Sequence, residues 1–395
     1  MLQVLSPRSQ MILSGLNVVV CGAATGGCAA ALVLARAGAR VTLVERVAKP
    51  KEIGAGIAIA ENGLAVLESL GLHDALGVAR PVTEVRIVDA FGRTLLAPRG
   101  KQPRAVMLRR STLQGMLLDA VAKEPGIECR FGVEVTRATP LGEVTLRDGA
   151  GETTERADLV VGADGVHSRV RDGGAFGARV RRTGLRYVRM LLSGDVATGT
   201  EAWTAAGLFG AFPVDGGTYA FASCGTPECR AALDARDLEA FRSAWAGAYP
   251  ASSRILASLT SFDELLQNEV IRVDCERWSD GRLVLLGDAA HAMAPNLGQG
   301  ANSALVDAAV LQFELRRCST LPDGLEAYER RRQPAVRRVA EASSRLGKLA
   351  EVTHPVGRTL RDRVLLPIVG LFTTTKATSL VLQEPTETLL ALGRG

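Results

Sequence analysis

Between Asn17 and Glu45 the chain passes through an apolar run ending at Cys21, then a glycine-rich turn, Gly22-Ala23-Ala24-Thr25-Gly26-Gly27. An alanine-rich segment over 28–37, the stop Gly38 and a second apolar run over 41–44 follow. Short apolar runs bounded by turn residues read as buried strands, and the segment between them has helical composition, so this is one βαβ unit. It commits the chain to an α/β fold with parallel strands. The length of 395 residues allows two or three domains, or one elaborated fold, and rules out a small stapled scaffold. The turn needs small residues for three reasons: the tight corner, the approach of backbone to a pyrophosphate, and the packing of helix on strand. The helix start also offers unpaired N–H groups to phosphate oxygens. Gly22, Gly26 and Gly27 meet that need, while Ala24 stands where a middle glycine is usual and puts a methyl beside the phosphate path. Glu45 lies 23 residues beyond Gly22, where a carboxylate accepts from a ribose 2′-OH and disfavours a 2′-phosphate. Taken alone, the turn also fits nothing more than a tight strand-to-helix corner.

A second helical segment follows Asn62, alternation near 82–97 suggests a hairpin, and Arg110 opens a helix through Ala122. The apolar run at 159–161 ends in Gly-Ala-Asp-Gly. From about 180 to 272 the pattern becomes alternating and aromatic, with one helix around 236–248, and reads as a second, sheet-built domain. At Leu283 the buried-strand pattern returns, ends in Gly-Asp-Ala-Ala-His, and is followed by a helix from about Gly300 to Arg316. The expected organisation is an N-terminal extension over 1–15, a dinucleotide domain from 16–80, 105–178 and 275–320, a substrate domain from 81–104 and 179–274, and a helical segment over 321–395. The seven cysteines are scattered without metal-ligand spacing, which reads as free thiols in a reducing cytoplasm and no metal site. Cys224 and Cys229 lie too far from the βαβ unit to be the redox pair of a flavin disulfide reductase. A net charge of +5 is slight for this length, and Arg330–Arg332 with Arg337 and Arg338 reads as a solvated helix face, so no nucleic-acid partner is expected. No stretch approaches the roughly 18–20 apolar residues of a membrane span, so no integral membrane association is expected either.

Two further segments, DLVVGADGVHSRVR (158–171) and GDAAHAMAPNLGQGAN (287–302), together with GAGI at 54–57 and the helix start Arg110-x-x-Leu113, resemble the class A flavoprotein monooxygenases. These are the single-component FAD-dependent aromatic hydroxylases of the p-hydroxybenzoate, salicylate and 3-hydroxybenzoate hydroxylase type. The likeness runs from residue 16 to about 350 and includes all three motifs in order. It implies a Rossmann-like FAD-binding domain with an inserted, mostly antiparallel β-sheet substrate domain and C-terminal helices. It also implies FAD as cofactor, NADH or NADPH as reductant, O2 as cosubstrate, and hydroxylation through a flavin C4a-hydroperoxide. By the resemblance Arg46 and Arg110 line the FAD trough, Asp164 and Arg169 belong to a motif linked to FAD and nicotinamide, and Pro295 lies beside the flavin C4a. From the residues themselves, Asp288 follows a strand and is placed to accept from a ribityl or ribose hydroxyl. Gly298, Gly300, Ala301 and Asn302 open a helix whose positive end suits the N1/C2=O edge of an anionic reduced flavin.

The substrate must be chosen by the 180–272 sheet, whose candidates to face the flavin are Arg189, Trp203, Leu208, Phe209, Phe212, Tyr219, Phe221 and Cys224. No histidine occurs between His167 and His291, whereas several relatives acting on simple phenolic acids carry one on this sheet as base. The pocket therefore reads as apolar and base-poor, suited to a polycyclic or polyketide-like aromatic. Tyr219 is expected to orient the substrate by a hydrogen bond and Arg189 to pair with an oxyanion. The alternatives are epoxidation or decarboxylative hydroxylation on the same fold, or a catalytically silent flavin-binding protein. A monomer or homodimer is expected.

Overall fold

The computed structural model describes residues 13–49, 55–83, 85–97, 102–372 and 382–391. Residues 1–12 of the expected extension and Gly54 of the 54–57 turn lie outside them. Strand β1 (Asn17–Cys21), helix α1 (Thr25–Arg36) and strand β2 (Arg40–Glu45) realise the βαβ unit. Then come β3 (Gly56–Ala60), α2 (Glu61–Ser69), β4 (Arg80–Pro81), the hairpin β5 (Arg86–Val88) and β6 (Thr94–Leu96), and β7 (Ala105–Arg109), which runs directly into α3 (Arg110–Ala122). Strand β8 (Ile127–Phe131) leads to an antiparallel meander of β9 (Glu134–Ala138), β10 (Glu143–Asp148) and β11 (Gly151–Arg156). Next are β12 (Leu159–Gly162) and the short α4 (Arg169–Asp172). The aromatic region forms β13 (Arg179–Leu192), β14 (Thr200–Trp203), β15 (Leu208–Val214), β16 (Gly217–Ser223), helices α5 (Pro227–Asp234), α6 (Leu238–Ala248) and α7 (Ser252–Leu256), and β17 (Leu266–Asp274). The remainder holds β18 (Ser279–Asp280), β19 (Leu283–Leu285), α8 (Asp288–His291), α9 (Gly300–Arg317) and α10 (Leu321–Ala350).

The first sheet has the order β18-β19-β12-β1-β2-β8, parallel except for the edge strand β18. Its inner strands are buried on both faces, as a parallel sheet covered by helices requires. From β1 the chain crosses to β2 on one side and later returns as β12 on the other, so β1 borders a topological switch point. Ligands of open α/β sheets bind at such a point, beyond the carboxyl ends of the strands. Gly22, Glu45, Asp164 and Asp288 all stand at those carboxyl ends. Gly27 lets α1 lie on β1: a Cβ there would be 1.8 Å from the Gly22 carbonyl oxygen.

The second sheet has the order β17-β13-β16-β15-β14-β5-β6. One face carries Val188, Met190, Ala202, Phe209, Ala211, Ala220 and Ala222 against Phe241 and Trp245 of α6. The region expected to hold one helix holds three. Pro227 at the start of α5, with the Thr226 hydroxyl accepting from the Cys229 N–H, nucleates the first of them.

The arginine run of α10 is not a solvated face throughout. Arg332 is fully buried, with Nε 2.8 Å from Asp307 Oδ1 of α9, because α10 lies along α9 and the buried carboxylate needs a counter-charge. Residues 382–391 close the same region: Gln383 bonds Ser303 and Arg332, and Asn62 bonds the backbone of residues 383 and 384. No helix among the described residues is long and apolar enough to cross a membrane. All seven cysteines are free.

Candidate active site

At the carboxyl ends of β1, β2 and β12 a cavity of about 420 Å³ is lined by Gly22, Glu45, Arg46, Asp164, His167 and Arg169 among others. Gly22 has φ +99°, and a Cβ on it would lie 2.6 Å from the Ala163 carbonyl oxygen, so the turn accepts only glycine there. Ala24 precedes α1 with an ordinary φ of −78° and its methyl is exposed, so the departure from glycine costs no strain. Glu45 bridges the turn: Oε2 accepts from the Ala23 N–H (2.9 Å) and Oε1 from the Val47 N–H (2.9 Å). Asp164 is not ion-paired to the Arg169 side chain. It accepts the backbone N–H groups of Arg169 and Val170, while Arg169 reaches toward Asp172. Burial raises the Asp164 carboxyl against those hydrogen bonds, and its Oδ1 is buried without a partner.

Further along, Gly287 takes φ +58° and turns the chain into α8, leaving Asp288 exposed at the first helical position. A Cβ on Gly300 would stand 3.9 Å from Asp288 Oδ1, so the carboxylate and the start of α9 share one rim. The first N–H groups of α9 have no partner within the helix. Asn302 does not present its amide to this rim. It is buried, with Oδ1 accepting from the Ala60 N–H (2.9 Å) and Nδ2 donating to the Ala58 and Gly298 carbonyls (3.0 and 2.9 Å), because β3 needs an anchor on the loop. Behind the rim Asp307 accepts from the Gly287 N–H (3.0 Å), lies 2.5 Å from His291 Nε2, and pairs with Arg332.

The strand register sorts the aromatic candidates onto two faces. Glu201 stands opposite Gly210, which stands opposite Phe221, which stands opposite Arg189; in the neighbouring rows Trp203 faces Leu208, and Phe212 faces Tyr219. All of these side chains therefore share one face. Phe209 belongs to the other: its ring meets Trp245 edge-on at 5.1 Å, so it packs the helices and lines no pocket here. Cys224, too, packs among those helices. On the first face Phe212 and Phe221 stack at 6.0 Å with 7° between planes, and Tyr219 leans on Phe221 at 5.5 Å. The Tyr219 ring fills the space that a side chain on Gly56 would need, which brings β3 against this sheet. Trp203 packs with Leu208, Tyr187 and, less deeply, Ala294, and the Arg361 guanidinium lies over its ring at 5.3 Å. Pro295 opens the 3-10 turn beside them, and Asn296 accepts the Tyr187 hydroxyl at 2.6 Å.

Electrostatics tie the two halves together. Arg110 is lowered by burial and then by Arg189, while Asp288 and Tyr219 pull the other way, so these four groups lie within electrostatic reach. Burial raises Tyr219 against the pull of Arg189 and Arg110. The same face carries a carboxyl: burial pushes Glu201 up to about 7, opposed by a 2.6 Å hydrogen bond from Trp203 Nε1. Tyr187, Asn296 and Gln114 join the site without a mark of their own in the sequence pattern: Tyr187 lies on the aromatic sheet, Asn296 inside the 287–302 motif, and Gln114, which donates to the Ala23 carbonyl at 2.5 Å, on the helix that Arg110 opens. Among the described residues no cluster of metal-ligand type occurs.

An FAD molecule suits this arrangement: glycines open the backbone, Asp288 and the α9 start are presented together, and the orphaned Asp164 oxygen looks for a donor. The comparisons agree. A family model described as "FAD binding domain" matches residues 15–343. A 2-heptyl-3-hydroxy-4(1H)-quinolone synthase of Mycobacteroides abscessus is 33% identical over 86% of this chain and 92% of its own. A 3-amino-4-hydroxybenzoate 2-monooxygenase of Streptomyces cremeus is 32% identical over 89% of this chain and 92% of its own. Among solved structures, Klebsiella pneumoniae HpxO complexed with FAD and uric acid superposes with a TM-score of 0.78 at 26% identity, covering 94% of this chain and 97% of that one.

Proposed function

The chain belongs to the FAD-binding-domain family and is an FAD-dependent monooxygenase, and from that premise we propose that it hydroxylates a flat aromatic or heteroaromatic small molecule held between the Arg189–Phe212–Tyr219–Phe221 face and the 294–298 loop, with NADH or NADPH as reductant. The observation that carries this reading is that face itself. Stacked rings form a slab, charged groups stand at its margins, and Ala294, next to Pro295, packs in the same cluster as Phe221. Slabs of this kind bind planar rings and use few polar groups to orient them. The relatives' names point to quinolone and aminohydroxybenzoate rings for those proteins, which favours one or two rings over the larger polycycle.

Bound FAD supplies the two-electron reduction and the activation of dioxygen. The side chains supply the rest. Asp288 accepts from a sugar-alcohol hydroxyl, Glu45 from the ribose, and the positive start of α9 stabilises negative charge on the flavin's pyrimidine edge. Tyr219 and Arg189 orient the substrate, and the packed sheet excludes water.

The test is NAD(P)H consumption over a panel of hydroxybenzoates, aminohydroxybenzoates, 4-quinolones and polycyclic phenols, with mass spectrometry for one oxygen atom from labelled dioxygen. A labelled product from any member supports the reading; stoichiometric FAD with no NAD(P)H oxidation on the whole panel favours the silent flavin binder. Asp288→Ala is expected to weaken FAD binding by about 10- to 100-fold, the worth of a hydrogen bond to a charged group, with apo stability changed by less than about 0.5 kcal/mol. Flavin fluorescence titration reads the first and urea unfolding the second. Glu45→Ala should lose some of both, because that carboxylate also holds the turn. Tyr219→Phe and Arg189→Met are each expected to keep FAD and to divert NAD(P)H oxidation into hydrogen peroxide. Unchanged coupling in both would remove them from the substrate site.

A further inference from the structure

Glu201 and Arg189 stand at the two ends of a single row across the second sheet, Glu201–Gly210–Phe221–Arg189. At roughly 4.8 Å per strand their Cα atoms are about 14 Å apart. The floor between them is aromatic, since the Phe221 ring lies over Gly210, where a Cβ would be 2.3 Å from Phe221 Cζ. Glu201 is half-buried, and its orientation is fixed: Oε1 accepts from Trp203 Nε1 at 2.6 Å. Trp203 is itself held under Arg361, whose guanidinium donates to the Leu349 and Ala350 carbonyls. At the near side Tyr187, bonded to Asn296 next to Pro295, is within reach of the charges of both Glu201 and Arg189.

An acceptor at one end of an aromatic floor and a cation at the other select a ring that is a donor at one edge and an acceptor at the opposite edge. We propose that Glu201 takes the ring N–H or O–H proton of the substrate while Arg189 holds a carbonyl or enol oxygen across the ring, so that the pocket is built for a vinylogous amide or acid. The inference rests on the proposed function and names the substrate class for that site. The proton leaves the heteroatom for the free Glu201 oxygen, and the electron pair left behind moves through the conjugated ring to the carbon that bonds one atom of dioxygen; the O–O bond breaks, the other atom leaves as water, and NAD(P)H supplies the two electrons. That carbon then loses its hydrogen as a proton to water, and Glu201 returns its proton to the heteroatom, restoring both the ring and the carboxylate. A carboxyl pushed up to about 7 exchanges protons readily at neutral pH. The titratable and charged groups around it are Tyr187 and Arg189 on the same face and Glu351 and Arg361 from the C-terminal helices.

The experiment compares 2-heptyl-4(1H)-quinolone, which has one ring N–H conjugated with its carbonyl, and the N-methyl analogue, both titrated into the FAD-loaded enzyme by flavin absorbance. Wild type is expected to bind the N–H form at least about tenfold more tightly, as a charge-assisted hydrogen bond requires. Glu201→Gln should cut that preference to about twofold or less and remove an ionisation near pH 7 from the kcat profile, with FAD occupancy unchanged. Trp203→Phe, which takes a hydrogen bond from the charged carboxylate, should move the same ionisation upward. Equal affinity of wild type for both quinolones, or an unchanged pH profile in Glu201→Gln, would overturn the role of Glu201 and leave the proposed function standing. Wild type that binds neither quinolone while oxygenating a polycyclic phenol with no carbonyl conjugated to its hydroxyl rejects the vinylogous substrate class alone; wild type inert to the whole panel rejects the proposed function and this inference with it.

Discussion

Asp307→Ala is expected to lower stability by about 3–5 kcal/mol and to release FAD, because it leaves the fully buried Arg332 guanidinium without its closest counter-charge. The same substitution removes the acceptor for the Gly287 N–H and for His291, and Gly287 is the residue whose left-handed turn sets Asp288 on the rim. Thermal and urea unfolding with flavin release as a second signal measure both effects. A loss below about 1 kcal/mol would show that Arg332 is stabilised from elsewhere. Arg332→Leu in the Asp307→Ala background should recover part of the loss, since a buried charge without a partner costs more than an apolar replacement. Burial raises the Asp307 carboxyl, but His291 and Arg332 more than offset it and hold the group below the usual carboxylate range. The contribution of a depressed carboxyl is complete above the unfolded value of about 3.9 and is lost as pH falls through the lower folded value. Asp307→Asn should therefore flatten the acid limb of the stability profile.

Gly27→Ala should be nearly as damaging, at about 3 kcal/mol or more, with no FAD bound. Its Cβ would sit 1.8 Å from a backbone oxygen and 3.0 Å from the Gly22 carbonyl carbon, and neither is a side chain that swings aside. Helix α1 must move off β1, taking the phosphate-facing N–H groups with it. Ala24→Gly, three residues away in the same turn, is expected to cost less than about 1 kcal/mol, since an exposed alanine in ordinary backbone gives way only to glycine's greater unfolded freedom. FAD affinity in that variant should stay level or tighten. Circular dichroism melts and flavin titration of the pair separate the packing glycine from the phosphate-approach position, and a tolerated Gly27→Ala would refute the packing argument.

Local pattern was sufficient where one residue's surroundings are set by its own strand and turn. The βαβ unit, the helix starting at Arg110 and the residues at the carboxyl ends of the parallel strands were legible in this way, because burial on both faces and φ-positive glycines leave a direct mark on the sequence. The aromatic sheet was harder, since facing depends on which strand lies alongside. Phe209 and Phe212 are three residues apart on one strand, so parity alone forbids both from lining a pocket. Which of them does is decided by pairing with β16. Glu201 leaves no such mark in the sequence, because histidine alone titrates near neutrality without burial. A carboxyl gets there through desolvation, and the Trp203 that binds it packs with Leu346, Leu349 and Ala350, more than a hundred residues away. Arg332 is the same lesson on a helix: five arginines crowd a short span of α10, and only the packing of α9 selects the one that is buried.

The order of strands in the parallel sheet also sets a timetable for synthesis. Strand β2 follows β1 from the ribosome almost at once, but β12 must wait for β19, with Val161 pairing to Val284 more than 120 residues later. At translation rates of about 5–20 residues per second that interval is roughly 6 to 25 s. Through it an apolar strand edge stands bare while five of the seven strands of the second sheet, β13 to β17, are made. The last wall of the trough, carrying Asp288 and the start of α9, emerges after everything it will close upon. The cofactor site is therefore completed only when the late strand arrives, and until then the edge of β12 has no partner on that side.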